Sequence, residues 1–308
     1  MKRALVVTIL AYLAVAEAAA SPPQYEYVGQ WYTAGRRPSD AAVAPNGNVY
    51  VTATMYSRLE YYTPTGSFLG SWAVGYHYTM WIYGVDVAPS GTVYVAVTKE
   101  SNVKYYTPTG SLLGSFGEGL YEPREVAVAP NANVYVADTN NHRIQYYASA
   151  GSVLGSWGSK GTGDGQFQRP RGVAVHNNGN VYVADSDNCR IQYFTPTGSF
   201  LGKWGAYGRT EGKFRYPVRV AVPASGIVFV TDSENRRVQY FTADGSFLGM
   251  WGSPGSGEGE FGYPHGIDVA PNGWIYVVDR TNDRLQYFAL ANPAVTPASL
   301  GKIKALFK

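Results

Sequence analysis

The sequence predicts an all-β protein, a six-bladed β-propeller with four antiparallel strands in each blade. Two observations lead to this prediction. One strand motif recurs six times along the chain, and each copy contains short strand-like segments separated by turn residues. Sheets of four short strands that repeat every 40 to 50 residues or so are typical of propeller blades.

The repeat is centred on a Tyr-Val or Phe-Val pair in the second strand. The pair begins at positions 50, 94, 135, 182, 229 and 276, at intervals of 41 to 47 residues. A full copy reads GVAV, an Asn-Gly-type turn, NVYVAD, a polar loop, RIQYF, a Pro-Thr-Gly or Asp-Gly turn, and SFLGSWG. Alternating side chains interrupted by Gly, Asn and Pro indicate antiparallel strands joined by tight turns.

The two ends of the repeat array predict a closed ring. The sixth copy stops after its third strand, at residues 285–288, and lacks the SFLG-type fourth strand. Residues 25–31, YEYVGQW, resemble that missing strand and precede the first blade. We expect this N-terminal strand to complete the last blade, because closure removes the open ends that a linear stack would expose.

The first twenty residues differ from the repeats and predict a secretory signal peptide. Lys2 and Arg3 form a basic start, residues 4–15 form an apolar run, and residues 18–20 form a small-residue cleavage site. The run is shorter than the ~20 residues that a membrane-spanning helix needs, so we expect no transmembrane anchor. We expect cleavage near Ala20 and a secreted, periplasmic or cell-surface protein, with an uncleaved N-terminal anchor as the alternative.

These features divide the chain into a signal peptide (residues 1–20), a propeller (21–290) and a C-terminal linker with a short amphipathic tail (291–308). The net charge of +3 is small for 308 residues, so nucleic acid is not the expected partner. Cys189 is the only cysteine, which excludes an internal disulfide. The propeller must therefore be held together by its core.

Residues 158–194, GSKGTGDGQFQRPRGVAVHNNGNVYVADSDNCRIQYF, resemble an NHL repeat along their whole length, and the resemblance extends over about residues 25–290. It implies a six-bladed propeller that acts as a binding platform for protein, RNA or another ligand. A few relatives of such propellers are enzymes. The fold that the resemblance implies therefore leaves the chemistry open.

The opening residues of the six inner strands are expected to surround the top of the central channel, where propeller pockets form. Arginine forks favour carboxylate and phosphate, so an arginine-rich mouth predicts a polar or anionic ligand. The alternative is that arginine and glutamate pair with each other across blades and only fill the channel. The candidate mouth residues are Asp40, Arg124, Glu125, Arg171, Arg219 and His265.

The resemblance also raises two enzyme classes. Peptidyl-amidating lyases share this fold and hold zinc with axial histidines, and Pro264-His265 looks like one such blade opening. A catalytic zinc takes three protein ligands, whereas the other five blades have Ser, Tyr, Arg, Arg and Val at that position. Lactone hydrolases of this fold need converging acidic and amide metal ligands, for which only Asp40 and Glu125 are candidates.

We therefore expect no metal, no cofactor and no catalytic residues. A metal-dependent lyase or lactone hydrolase at the channel mouth is the alternative function, and RNA binding is the third.

The link between blades one and two departs from the repeat. Elsewhere a Gly-rich link carries an inward Phe, as at Phe167, but residues 73–83 read AVGYHYTMWIY. Aromatic side chains on a surface suit a sugar ring or a protein hot spot. The sequence therefore predicts a non-catalytic module that binds a glycan or a protein here, unless these rings only fill the space of the missing Phe. The residues expected at this top-face site are Tyr76, His77, Tyr78, Trp81, Tyr83 and Tyr121.

A further set, Asp-x-x-Asn-x-Arg, occurs at residues 138–143, 185–190, 232–237 and 279–284. Four equal copies at equivalent places favour a role in building loops, with the Asp accepting amide hydrogen bonds and the Arg pairing with a carboxylate. We expect no ligand at these loops.

Overall fold

The computed structural model describes residues 24–35, 37–75 and 81–291, which form six four-stranded antiparallel sheets. The innermost strand of each sheet contacts the innermost strands of the two neighbouring sheets, so the sheets close into a ring around a central channel. The predicted six-bladed propeller is confirmed.

The first three blades each follow the chain from the innermost to the outermost strand. Blade 1 contains β2 (Pro38–Val43), β3 (Val49–Ala53), β4 (Arg58–Tyr62) and β5 (Phe68–Ala73). Blade 2 contains β6 (Ile82–Val87), β7 (Val93–Val97), β8 (Asn102–Tyr106) and β9 (Leu112–Phe116). Blade 3 contains β10 (Glu125–Val128), β11 (Val134–Asp138), β12 (Arg143–Tyr147) and β13 (Val153–Trp157).

Blades 4 and 5 repeat this order, and a two-residue parallel pair forms in the link that follows them. Blade 4 contains β14 (Pro170–Val175), β15 (Val181–Asp185), β16 (Arg190–Phe194) and β17 (Phe200–Trp204). Blade 5 contains β18 (Pro217–Ala221), β19 (Val228–Asp232), β20 (Arg237–Phe241) and β21 (Phe247–Trp251). The link contains β22 (Ser253–Pro254) and β23 (Glu260–Phe261).

Blade 6 is built from both ends of the propeller. Its inner strands are β24 (Pro264–Val269), β25 (Ile275–Asp279) and β26 (Arg284–Leu290). The outermost strand is β1 (Tyr25–Tyr32), which pairs antiparallel with β26 from Tyr25 opposite Leu290 to Tyr32 opposite Arg284. The expected closure of the ring by the N-terminal strand is therefore confirmed.

The second strand of every blade is buried along its whole length. It has strand neighbours on both sides and a neighbouring blade against each face. A strand covered on both faces reads as a continuous apolar run, as in VYVAV of blade 2. The outermost strands have exposed positions because one side of each faces solvent.

Adjacent blades are joined by an aromatic side chain near the end of each outer strand. The Trp157 ring of blade 3 lies 5.7 Å from the Phe194 ring of blade 4. Gly198, in the turn of blade 4, has φ +93°, and a Cβ there would lie 2.6 Å from the Trp157 ring. This turn therefore needs glycine for its left-handed backbone and for the space that the tryptophan occupies.

The Asp-x-x-Asn-x-Arg sets build loops, as expected. Oδ2 of Asp185 accepts hydrogen bonds from Asn188 Nδ2 at 2.8 Å and from Arg190 Nε at 2.7 Å. The remaining N–H groups of Arg190 donate to carbonyl oxygens in the preceding link. Phe167 in that link is fully buried.

Within residues 24–35, 37–75 and 81–291, no helix combines the length and the apolar character that a membrane crossing requires.

Candidate functional site

Three charged side chains, one from every second blade, close the central channel. Arg219 of blade 5 forms an ion pair with Glu125 of blade 3, and its Nε lies 3.3 Å from Oδ2 of Asp40 in blade 1. None of the three residues is more than 4% exposed. We call Asp40, Glu125 and Arg219 the plug.

The plug is also tied to the backbone of its neighbours. Arg219 donates from Nη1 to the carbonyl oxygen of Arg171 at 2.6 Å and from Nη2 to that of Arg124 at 2.8 Å. Asp40 Oδ2 accepts the N–H of Val85 at 3.1 Å. One guanidinium group thus connects blades 1, 3, 4 and 5. Arg219 thus forms the pairing of arginine with glutamate across blades that the sequence left open as an alternative.

The other three blades have glycine at the plug position because there is no space for a side chain. A Cβ on Gly84 would lie 2.6 Å from Cα of Glu125, and a Cβ on Gly172 would lie 2.5 Å from the carbonyl oxygen of Val218. Real Cβ atoms do not approach that closely. Charged residue and glycine therefore alternate around the axis.

Burial dominates the electrostatics of the plug. It raises the pKa of Asp40 above its ordinary value and raises the pKa of Glu125 well above its ordinary value, while the charge of Arg219 opposes both shifts. The charge of Asp40 raises the pKa of Glu125 further. Burial favours protonation of one of the two carboxyl groups, and the remaining carboxylate is balanced by Arg219, so the plug offers no free charge to a ligand.

A second layer of side chains lies nearer the top face, one residue before the plug on the inner strands. Tyr83 is 8% exposed and contacts two guanidinium groups: Cζ of Arg124 lies 4.5 Å from its ring centroid and Cζ of Arg280 lies 5.2 Å from it. Burial would raise the pKa of Tyr83, but the charges and hydrogen bonds of Arg280 and Arg124 lower it. Both arginines therefore lie against the Tyr83 ring.

The third guanidinium group of this layer belongs to Arg171. Its Cζ lies 4.7 Å from the ring centroid of Tyr216, and the residue is 8% exposed. Burial and the charge of Arg124 lower the pKa of Arg171 to about 10. Nε of Arg171 and Nε of Arg124 are buried and have no hydrogen-bond partner within the described residues. The same part of the chain contains no ion pair of Arg124, Arg171 or Arg280.

Arg280 occupies a position where the other five blades have a hydroxyl. In those blades a Thr or Ser after the second strand donates to the carbonyl oxygen of the residue that opens the next blade, as Ser233 does to Pro264 at 2.6 Å. We call this hydrogen bond the latch. Blade 6 has Arg280 instead. A cavity of about 560 Å³ on the top face is lined by Arg280 together with Arg37, Met55, Tyr263, Thr281 and Asp283.

His265 completes this layer on blade 6. Its Nδ1 lies 2.5 Å from the carbonyl oxygen of Ser39, and its ring centroid lies 6.1 Å from that of Tyr83. Burial and the charges of Arg280 and Arg219 lower the pKa of His265 well below its ordinary value. The neutral ring donates Nδ1–H to Ser39, which leaves Nε2 as a hydrogen-bond acceptor.

The predicted aromatic site is divided between two environments. Trp81 and Tyr121 lie on the top face and are 41% and 56% exposed, whereas Tyr83 belongs to the buried layer around the mouth. Lys99 of blade 2 lies over Trp81, with Nζ 4.3 Å from the ring centroid. Tyr76, His77 and Tyr78 lie outside the described residues.

Below the plug the channel widens into a chamber of about 340 Å³. Two inner-strand carboxylates, which the sequence reading did not single out, line this chamber. Asp86 accepts the N–H of Val128 in blade 3, and Asp268 accepts the N–H of Val43 in blade 1, each at 2.7 Å. They join neighbouring blades, at a position where the other four blades have alanine.

The other histidines of the described residues lie away from the mouth. Nδ1 of His142 accepts the N–H of Arg169 in a link, and His176 lies in a turn on the opposite face. Within the part of the chain that the structure describes, no group of three or more His, Cys, Asp or Glu residues could hold a metal ion.

Comparison with known families identifies the repeat. Residues 120–147 and 167–194 match the NHL repeat, and residues 213–295 match the family DUF5128, described as a 6-bladed β-propeller. The chain contains NHL repeats in a six-bladed β-propeller. The NHL matches begin in the links before blades 3 and 4 and cover the first three strands of each of these blades. No curated protein sequence matches this NHL-repeat propeller.

Solved structures share its fold at low sequence identity. A streptogramin B lyase is 11% identical with a TM-score of 0.65, and the match covers 88% of this chain and 98% of that one. A gluconolactonase from Xanthomonas campestris is 13% identical with a TM-score of 0.65, covering 89% and 96%. A catalytically inactive virginiamycin B lyase from Staphylococcus aureus with quinupristin is 13% identical with a TM-score of 0.60, covering 84% and 82%. At such identities the likeness shows the fold alone.

Arg280 and Tyr216 were not predicted from the sequence, although Arg280 could have been. The prediction compared only the inner-strand positions around the channel, whereas Arg280 lies in a loop after the second strand. Aligning that loop position across blades gives Thr54, Thr98, Thr139, Ser186, Ser233 and then Arg280. The change from hydroxyl to guanidinium in one blade of six is the signal.

Proposed function

We propose that this NHL-repeat propeller is an extracytoplasmic, non-catalytic recognition module that binds a glycan or a protein through its top face over blades one to three. The observation that carries the proposal is the exposure of Trp81 and Tyr121 on this face, in the two links that flank blade 2. Both side chains offer a flat apolar area with a polar group at one end, at a small cost in conformational entropy.

The packing of the two links favours this function over a space-filling role for these rings. Leu120 is 7% exposed and takes the place of the inward Phe in the second link. Val74 is buried in the core beside the first link. Since smaller side chains fill the core there, Trp81 and Tyr121 are available to a ligand.

Lys99 adds a charged edge to this surface. It lies over the Trp81 ring and 3.7 Å from a carboxylate oxygen of Glu122. A cation over an indole face restrains the ring at little cost, so the tryptophan is held in place before the ligand arrives.

The test is a glycan array probed with the purified protein, with Trp81→Ala, and with Tyr207→Ala as the matched control. Tyr207 is a more exposed aromatic ring, at 69% against 41% for Trp81, in the link between blades 4 and 5. We expect the Trp81 variant to lose about 2 kcal/mol of binding, roughly 30-fold in Kd, and the control to bind as the wild type does. Equal binding by both variants, with the fold intact by circular dichroism, would exclude the aromatic surface. A wild type that binds no glycan would leave a protein as the ligand.

Export is the second part of the proposal and rests on residues 1–20. Removing them leaves the ring-closing strand whole, since β1 begins at Tyr25. We expect the exported protein to begin at Ser21, which N-terminal sequencing after cell fractionation would check. Recovery of the intact chain from the cytoplasm would contradict export.

A further inference from the structure

We propose that the top of the channel holds a pocket for the carboxylate or phosphate group of a small anionic ligand. This arginine pocket is distinct from the exposed surface around Trp81, and its existence does not depend on that surface being a binding site. Its members share one layer directly above the plug: Tyr83, Arg124, Arg171, Tyr216, His265 and Arg280.

The arginine pocket carries unbalanced positive charge. The pocket contains three guanidinium groups, and none of them forms an ion pair within the described residues. The nearest buried carboxylates, Asp40 and Glu125, are both engaged by Arg219 in the plug. The layer therefore has an excess of positive charge that its own protein groups do not neutralise.

Arg171 is buried without an ion-pair partner in the part of the chain that the structure describes. The residue is 8% exposed, and its Nε has no hydrogen-bond partner within the described residues. Keeping an unpaired guanidinium group out of water is costly, and the cost falls when an anion accepts its N–H groups. The aromatic rings of Tyr83 and Tyr216 lie against the guanidinium groups and hold them in place, which prepares the planar forks that bind carboxylate and phosphate.

Blade 6 departs from the repeat at the latch. Five blades close the loop after the second strand with the hydroxyl latch, which shows what the fold requires at this position. Arg280 does not make that latch within the described residues, and its guanidinium group instead lies 5.2 Å from the ring centroid of Tyr83 across the mouth. An arginine that replaces a structural hydroxyl and joins two other unpaired arginines is explained by a ligand.

His265 adds a hydrogen-bond acceptor to the pocket. Neutral His265 uses Nδ1–H for Ser39, so Nε2 can accept a hydrogen bond. No described residue donates to that nitrogen. A ligand that carries a hydroxyl next to its anionic group would satisfy both the arginines and this acceptor.

The closing experiment is calorimetric titration of the full chain with inorganic phosphate and, separately, with malonate, at ionic strength matched with sodium chloride. The decisive variant is Arg280→Thr, because threonine is the residue that blades 1 to 3 have at the latch. The matched control is Arg236→Ser, an exposed arginine of a neighbouring top-face loop at a position where blades 1 and 2 have serine. Both substitutions restore a residue of the repeat, so both variants should fold.

We expect one of the two anions to bind and Arg280→Thr to weaken that binding about 10- to 100-fold, while Arg236→Ser stays within about twofold of the wild type. The anion that binds identifies the ligand group as phosphate or carboxylate. Arg171→Gln, in which the plug is untouched, should show the same loss. The proposal is overturned if neither anion binds at up to about 50 mM, or if Arg280→Thr and Arg236→Ser respond alike.

Discussion

Replacing Arg219 by methionine tests whether the plug stabilises the ring. Methionine keeps an unbranched apolar side chain in the channel but removes the guanidinium group. Two carboxyl groups, those of Asp40 and Glu125, lose their ion pair, and two backbone carbonyl oxygens lose their donor. The change leaves the channel filled and its charges uncompensated.

The expected loss follows from the burial of these groups. Breaking a buried ion pair by removing one partner costs about 3–5 kcal/mol, and each orphaned carbonyl adds about 1 kcal/mol or more. Uptake of a proton by one carboxyl reduces the total, because burial already raises the pKa of both. We expect the free energy of unfolding to fall by about 4 kcal/mol at pH 8, which lowers Tm by about 10 °C for a domain of this size.

The pH dependence of this loss has a definite sign. A carboxyl whose pKa is raised in the folded state contributes stability at low pH and loses it as the pH rises through that pKa. Removing Arg219 raises both values further, since its charge was lowering them. The variant should therefore be closer to the wild type at pH 5 than at pH 8.

The assay is urea unfolding followed by tryptophan fluorescence at pH 5 and pH 8, checked by thermal unfolding. The triple variant Asp40→Asn, Glu125→Gln, Arg219→Met removes the orphaned charges and should recover about half of the loss. A single variant within about 1 kcal/mol of the wild type at pH 8, or a triple variant no more stable than the single one, would refute the reasoning.

Three further predictions follow from other parts of the structure. Burial raises the pKa of Asp86 to about 8, with a contribution from Asp268, and raises that of Asp268 to about 7. The free energy of unfolding should fall between pH 5 and pH 8, and replacing both residues by asparagine should make this fall about 1–3 kcal/mol smaller. Urea unfolding at the two pH values would contradict this if the fall were the same in the variant and the wild type. Gly172→Ala places a Cβ 2.5 Å from the carbonyl oxygen of Val218 and should cost about 1–3 kcal/mol in thermal unfolding, so an unchanged Tm counts against the space argument. Deleting residues 24–32 should expose the edge of β26 and produce aggregates in size-exclusion chromatography, whereas a stable monomer would show that closure is dispensable.

Much of the fold could be predicted from the sequence, because the same strand and turn pattern occurs six times. The spacing of the Tyr-Val pairs predicted six blades, and the missing fourth strand of the last copy predicted its replacement by residues 25–31. The four Asp-x-x-Asn-x-Arg sets were expected to build loops, and the hydrogen bonds of Asp185 and Arg190 do so. The blades and their loops are local features, so equivalent residues meet equivalent neighbours in every blade.

The candidate site could be predicted only in part from the sequence. The sequence placed Arg124, Arg171 and His265 at the mouth, and the structure has them there. It left open whether Arg219 would contact a ligand or pair with a carboxylate across blades, and the structure shows this residue paired in the plug. The sequence grouped Tyr83 with the exposed rings of the aromatic site. In the structure Tyr83 lies on an inner strand, is buried, and has the guanidinium groups of Arg124 and Arg280 over its ring.

The sequence by itself determined the number of blades, the closure of the ring and the equivalence of residues between blades. The repeat period gives the number of blades and the equivalent positions, and the incomplete sixth copy together with residues 25–31 gives the closure. Only the tertiary structure decided which equivalent residues meet. Around a narrow axis three side chains fit and six do not, so Arg219 pairs with Asp40 and Glu125 past intervening glycines. Ring closure also brings Arg280 of blade 6 against Tyr83 of blade 2, although the two residues are 197 positions apart in sequence.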